Sequence, residues 1–293
     1  MTSFDFQRYV DVRKSPGKKR TARGFGVYAY AGDVRVLNTL SYAKPVRIAV
    51  EAAVRAFKAW YRSDLLGSAV KVSPRQFPHI HALVAECAEE LGIPAPTTYI
   101  AQNLAAINAA TYGTETDAFI LINSATVDRL SEDELKYVIG HECGHIQNSH
   151  VAYKTALNFA TNMAGQLLSV IALPARLALN SWSRRAELTC DRAGLMCCKD
   201  IDIATKTMVR LAHGSQKLAD QVDLDDYLAQ MEELKKGAGR IREWWQSHPH
   251  LVKRVRALQL FAESDLYHRH MNRDGGTPLV EIDRQVDELI KVL

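Results

Sequence analysis

Lys136-Tyr137-Val138-Ile139-Gly140-His141-Glu142-Cys143-Gly144-His145-Ile146 has the spacing around which the rest of the chain is organised. Histidines four apart leave one face of a helix one turn from each other, and the glutamate that follows the first lies beside them. That arrangement suits one metal ion and one base. A shuffled chain of this composition shows H-E-x-x-H in roughly two of a hundred cases, so the surrounding sequence has to decide what the motif is.

Just upstream, Ser131-Glu132-Asp133-Glu134 is a capping box: the Ser131 hydroxyl accepts from the third helical N–H while Glu134 reaches back. The motif helix therefore starts at Glu132. Leu135, Val138, Ile139, Glu142 and Ile146 share one face, with His141 and His145 at its border. Glu142 thus points the same way as an apolar stripe, where a carboxylate needs a partner. Gly140 and Gly144 lie together on another side; each costs about 1 kcal/mol against Ala in a helix interior, which implies close approach of another backbone. Cys143 faces nearly opposite to His141 and reads as a packed thiol.

A catalytic zinc takes three protein ligands and leaves one position for water. The candidate for the third lies in Ser183-Arg184-Arg185-Ala186-Glu187-Leu188-Thr189-Cys190-Asp191, a helical stretch in which Glu187 and Asp191 share a face. Glu187 as ligand, with Asp191 accepting from the free ring N–H of His141, is one reading; a solvated acidic pair on a surface helix is the other.

The 293 residues are 47% hydrophobic and 24% charged, an ordinary globular composition able to bury a large core. The net charge of +4 owes much to Arg13, Lys14, Lys18, Lys19, Arg20 and Arg23. These form a local basic arm rather than a nucleic-acid-binding domain, either solvated or in contact with an acidic partner or a membrane surface. Residues 1–8 lack the apolar run of a secretory signal, and five cysteines, two of them adjacent, make no disulfide framework. Both features predict a cytoplasmic protein with reduced thiols. Ala156–Leu179 is the most apolar long segment, yet its Asn158, Thr161, Asn162, Gln166, Pro174 and Arg176 favour a packed helical hairpin over a membrane span.

Phe25 to Leu37 reads as a short hairpin around an Ala31-Gly32-Asp33 turn, so that residues 1–40 comprise arm and hairpin and 41–293 a single domain. Strands are expected at 68–72, 97–101, 105–111 and 118–123, helices near 74–91 and from 201 onward. The fold class is α+β, mainly helical, with a small, mainly antiparallel sheet beside the motif helix.

The order of motifs resembles the zinc metallopeptidases that include HtpX and the type I CAAX prenyl proteases. The resemblance covers roughly Leu65 to Leu258 and rests on Gly67-Ser68-Ala69-Val70, Ile107-Asn108-Ala109-Ala110, the H-E-x-x-H helix, Ser183-Arg184-Arg185-Ala186-Glu187 with Asp191, and Ser247-His248-Pro249 with Arg254. It implies a zincin fold of the gluzincin kind and one zinc ion held by His141, His145 and Glu187. It also implies Glu142 as general base, and Asn108 and Ala109 beside an extended peptide. His248 would approach the metal from a later loop, to stabilise an oxyanion or cap the ion, with a helix-capping His-Pro turn as the alternative. Arg254 would pair with Asp191. The implied activity is hydrolysis of peptide bonds in peptide or unfolded-protein substrates by zinc-activated water; the rival is a silent or latched zinc-binding chaperone or interaction module. Two departures stand out. Cys143 and Cys190 occupy positions where small aliphatic residues are frequent, and the spans of the membrane members are not found.

Overall fold

A computed structural model of the chain describes residues 25–44, 46–48, 50–55, 67–114, 117–162, 173–234 and 250–291. Helix α1 (Ala31–Tyr42) leads to strand β1 (Ala69–Lys71), helix α2 (Pro78–Leu91) and strands β2 (Thr97–Ala101), β3 (Ala109–Tyr112) and β4 (Phe119–Asn123). Then follow α3 (Ser124–Arg129), the motif helix α4 (Glu132–Gln147), α5 (Val151–Asn162) and the long α6 (Leu173–Cys198). The remainder is helical: α7 (Ile201–His213), α8 (Gln216–Ala219), α9 (Leu224–Leu234), α10 (Leu251–Ala262), α11 (Asp265–His270) and α12 (Leu279–Leu289). The architecture is α+β and mainly helical, as the periodicities predict.

The sheet order is β1-β2-β4-β3. Two pairings are antiparallel, Ala69 opposite Ala101 and Ala109 opposite Ile122, while β2 and β4 run parallel with Thr97 beside Phe119. The sheet is therefore mixed, and β3 is an edge strand that lies against α4 and α5. Ile120 and Ile122 alternate inward and are fully buried, joining Leu83, Leu135, Ile139 and Leu195 in the main core.

The close approach expected at Gly140 and Gly144 is the crossing of α4 over α6. A Cβ on Gly140 would stand 2.7 Å from the Cβ of Cys197, and one on Gly144 2.7 Å from the Cβ of Ala193. From the other side, a Cβ on Gly194 would meet the Tyr137 carbonyl oxygen at 2.7 Å. Three glycines thus let two backbones touch, and this contact brings the Glu187 side of α6 against the histidines of α4. The capping box forms as read: the Ser131 hydroxyl accepts from Glu134 N–H at 3.3 Å, and the Glu134 carboxylate accepts from Ser131 N–H at 2.7 Å.

The hairpin expected at Phe25–Leu37 is not formed; residues from Ala31 onward are α1. The Tyr30 carbonyl accepts from the N–H groups of Asp33 and Val34, which makes Ala31-Gly32-Asp33 a first helical turn, and Leu37 and Leu40 are buried at helical spacing. The boundary drawn at residue 40 falls inside this helix, which packs on α6. The basic residues 13–23 lie outside the described residues, as does the middle of the predicted 156–179 hairpin, whose two ends are α5 and the start of α6. Among the described residues, no helix is long and apolar enough to cross a membrane.

Candidate active site

The C-terminal half of α4 carries His141, Glu142 and His145; α6 answers with Glu187 and, one turn on, Asp191. Nε2 of His141 lies 3.6 Å from Glu187 Oε2, and Nε2 of His145 lies 3.6 Å from Glu187 Oε1, so one buried carboxylate bridges both rings. Nδ1 of His141 is 3.1 Å from Asp191 Oδ1. Asp191 also accepts a two-pronged bond from Arg254, at 2.8 Å from Nε and 2.6 Å from Nη2, and a third from the Tyr137 hydroxyl at 2.9 Å. The solvated acidic pair of the rival reading is excluded, because Glu187 and Asp191 are both buried.

Electrostatics differ between the two rings. Burial pulls His141 down, yet the Asp191 hydrogen bond and the Glu187 charge outweigh it and leave its pKa above the ordinary imidazole value. Burial, helped by the Lys154 ammonium, holds His145 well below that value. Burial works to raise the Asp191 carboxyl, but the Arg254 guanidinium overcomes it and keeps the group below the usual range.

Glu142, turned with the apolar stripe, has its partner in Thr111 of β3, whose hydroxyl donates to Oε2 at 2.6 Å. Lys154 of α5 places its Nζ 2.6 Å from Glu187 Oε1, and Arg254 Nη1 lies 3.5 Å from Oε2. These groups open on a cleft of about 440 Å³ whose apolar lining includes Ile107, Val138, Met208, Leu211 and Leu251. Asn108 and Ala109 line the same cleft at the start of β3. His248, with Ser247 and Pro249, lies outside the described residues.

Thr111 and Lys154 carry no spacing that marks them in the sequence; each arrives from an element that tertiary packing alone brings in. The far edge of His145 has further neighbours of this kind. Its Nδ1 is 3.1 Å from Nδ1 of His150 and 3.2 Å from Cys190 Sγ. Nε2 of His150 is 3.0 Å from Asp33 Oδ2, a close polar contact lying off the line of an ideal hydrogen bond. A signal for His150 did exist, since it stands five residues beyond His145, just past the helix end. His141, His145 and Cys190 are also mutually close enough to form a ligand trio.

An H-E-x-x-H helix crossed by a second helix that lends a buried carboxylate, beside a small sheet, defines the zincin-like class. The chain belongs to Peptidase family M48, whose profile it matches over residues 74–262. It is 32% identical over 232 residues to the plastoglobule-localized metallopeptidase 48, chloroplastic, of Arabidopsis thaliana, covering 74% of this chain and 66% of that protein. It is 36% identical over 88 residues to a protease HtpX homolog of Methanothermobacter thermautotrophicus, covering 30% of this chain and 34% of that one. Over 254 residues it is 26% identical to a protease HtpX homolog of Sulfurihydrogenibium, covering 73% and 85%.

Proposed function

We propose that the chain is a zinc-dependent metalloendopeptidase acting on peptides or unfolded protein. The observation that carries this reading is the convergence of His141 Nε2 and His145 Nε2 on Glu187, 3.6 Å from each, in a cleft where Thr111 holds Glu142. Two imidazoles and one carboxylate fit a catalytic zinc that keeps a further position open, so these three residues would hold one ion. Cys190 fits less well, because its sulfur meets His145 at Nδ1, the nitrogen turned away from Glu187. When bound, the zinc lowers the pKa of water towards neutrality and polarises the scissile carbonyl.

Glu142 then takes the proton of the attacking water and returns it to the leaving amine, a role worth about 10²–10⁴ in rate for a positioned acid-base. The Thr111 hydroxyl fixes one oxygen of Glu142 and so aims the other. Asp191, itself held by Arg254 and Tyr137, keeps the proton of His141 on Nδ1 and frees Nε2 for the metal. Ala109, the first residue of edge strand β3, offers its backbone to an extended substrate, and Asn108, whose own N–H and carbonyl are held by Thr126 and Asn123, borders that substrate just before the strand. His248 is assigned to the oxyanion on the strength of its Ser-His-Pro motif. A cytoplasmic location is supported by five cysteines that are all free and buried.

The test compares zinc content and cleavage products of wild type and Glu142→Gln on a mixed peptide library. Both proteins should hold zinc and only wild type should cut. Cleavage by the zinc-loaded mutant would refute the base. A wild type that binds zinc yet cuts nothing would turn the reading to the silent module. Glu187→Ala should lower zinc occupancy, and unchanged occupancy would remove Glu187 from the ligand set.

A further inference from the structure

The end of α4 is built so that residue 150 lands on residue 145. Asn148 caps the helix and Ser149 adopts a left-handed conformation with φ of 59°. The Ser149 N–H donates to the Ile146 carbonyl and the His150 N–H to the His145 carbonyl, at 3.2 and 2.9 Å. This is the Schellman pattern, in which the second residue past the cap lies against the third from the end of the helix. An apolar pair usually occupies these two places. Here both are histidines, fully or nearly fully buried, with Nδ1 facing Nδ1 at 3.1 Å.

Two ring nitrogens can share a hydrogen bond only if one carries the proton and the other does not. The group facing the other side of the His150 ring is Asp33, in the first turn of α1, whose contact with Nε2 is close but off the line of an ideal hydrogen bond. Asp33 is fully buried, although no basic residue pairs with it among the described residues except by way of His150. Its Oδ1 accepts from Trp182 Nε1–H at 3.0 Å, and its Oδ2 accepts from the Thr189 hydroxyl at 2.6 Å and faces His150 Nε2 at 3.0 Å.

We propose that Asp33 and His150 form a positioning relay for the second histidine of the motif. Asp33 keeps the His150 proton on Nε2, His150 Nδ1 accepts from His145 Nδ1–H, and His145 is left with a lone pair on Nε2 aimed at Glu187. His145 thereby receives from Asp33 and His150 what His141 receives from Asp191 and Arg254. The inference rests on the zinc-site reading above and adds residues of α1 to the machinery of that site.

Asp33→Asn tests it with almost no change in shape. Trp182 can only donate, so the amide oxygen must stay at the Oδ1 position and the NH₂ group must take the place of Oδ2, facing His150. That donor favours His150 with its proton on Nδ1, opposed to the proton on His145. A wrong tautomer imposed by an Asp→Asn change is a known way to disable a histidine while leaving its surroundings in place. Zinc affinity should fall by about 10–100-fold, the usual effect of losing an outer hydrogen-bond partner. Nitrogen-15 spectra of histidine-labelled full chain should show the His150 proton moving from Nε2 to Nδ1. His150→Asn, whose Oδ1 replaces the ring Nδ1 as acceptor, should keep affinity close to wild type, whereas His150→Ala should lose it to the same degree as Asp33→Asn.

Wild-type zinc affinity in Asp33→Asn, an unmoved His150 proton, or equal losses in His150→Asn and His150→Ala would each overturn the relay. Cys190→Ala belongs in the same series: a loss larger than that of Asp33→Asn would make the thiol a ligand and overturn the assignment of His145 Nε2. His145→Ala separates the two levels, because zinc affinity indifferent to His145 defeats the zinc-site reading itself. Dependence on His145 without dependence on Asp33 or His150 defeats only the relay.

Discussion

Gly144→Ala places one methyl group at the contact that assembles the site. Its Cβ would stand 2.7 Å from Ala193 Cβ and 3.2 Å from Cys190 Cα, where carbon atoms in ordinary contact keep about 3.5–4.0 Å. Neither neighbour can rotate away, since one is a Cβ and the other backbone, so α4 and α6 must part by about 1 Å. His145 is the next residue on α4, and Glu187 lies less than two turns from Ala193 on α6. A site that tolerates about 0.5 Å is therefore pulled open. Stability should suffer less. Overpacking costs about 1–3 kcal/mol, the better helix propensity of Ala returns about 1 kcal/mol, and the net is about 0–2 kcal/mol. At about 2–4 °C per kcal/mol, the melting temperature drops by no more than about 8 °C. Activity, sensitive to misplacement on this scale, should fall about 100-fold, with zinc occupancy falling alongside it. Melting by circular dichroism, zinc per chain after dialysis and peptide hydrolysis give the three numbers. Ala193→Gly in the same chain removes the opposing methyl and should restore zinc and activity in part. Gly67→Ala, where an added Cβ meets nothing within 4 Å, is the control. Full zinc occupancy and full rate in Gly144→Ala, or a double mutant no better than the single, would refute the packing argument.

Arg254→Leu strips the buried Asp191 of its two-pronged partner and should cost about 3–5 kcal/mol in urea unfolding; a loss below about 1 kcal/mol would show that Tyr137 and His141 suffice. Thr111→Val removes a hydrogen bond to a charged oxygen worth about 1.5–3 kcal/mol, so turnover should drop roughly 10–100-fold at unchanged zinc content, and an unchanged rate would mean Glu142 needs no such aim. Burial pushes the Cys198 thiol from 9.0 up to about 12 and raises Cys143 as well, while the neighbouring Cys87, together with burial, raises Cys197. The unfolded chain then releases these protons from about pH 9 while the folded chain keeps them, so stability is intact below pH 9 and lost as pH climbs towards 12. The urea midpoint should fall between pH 9 and 11, and a thiol reagent should react slowly until the protein unfolds; a midpoint flat over that interval would contradict the burial of these groups.

Much of α4 was legible because its determinants are local. The capping box, the four-residue spacing of the histidines and the pair of small residues at 140 and 144 all lie within one helix, where 100° per residue converts position into direction. The same arithmetic placed Glu187 and Asp191 on a common face of α6. Ala31-Gly32-Asp33 misled for a local reason too: the tripeptide is good turn chemistry, and only the burial of Asp33 against Trp182 and Thr189, 149 and 156 residues away, makes it the start of a helix.

By itself, then, the sequence determined the motif helix, its capped start, the two imidazoles and their neighbouring glutamate, and a helical class of fold with a small sheet. Tertiary structure alone decided what those groups touch. Thr111 reaches Glu142 from an edge strand 31 residues earlier, Lys154 reaches Glu187 from α5, and Asp33 reaches His150 from α1. A hydrogen bond between elements leaves no period in the chain, because the partner's position depends on how whole helices pack and not on the residues beside it. Gly140 and Gly144 are the exception that joins the two levels: a local anomaly, the lack of side chains on one helical face, is also the surface on which the second half of the site is laid.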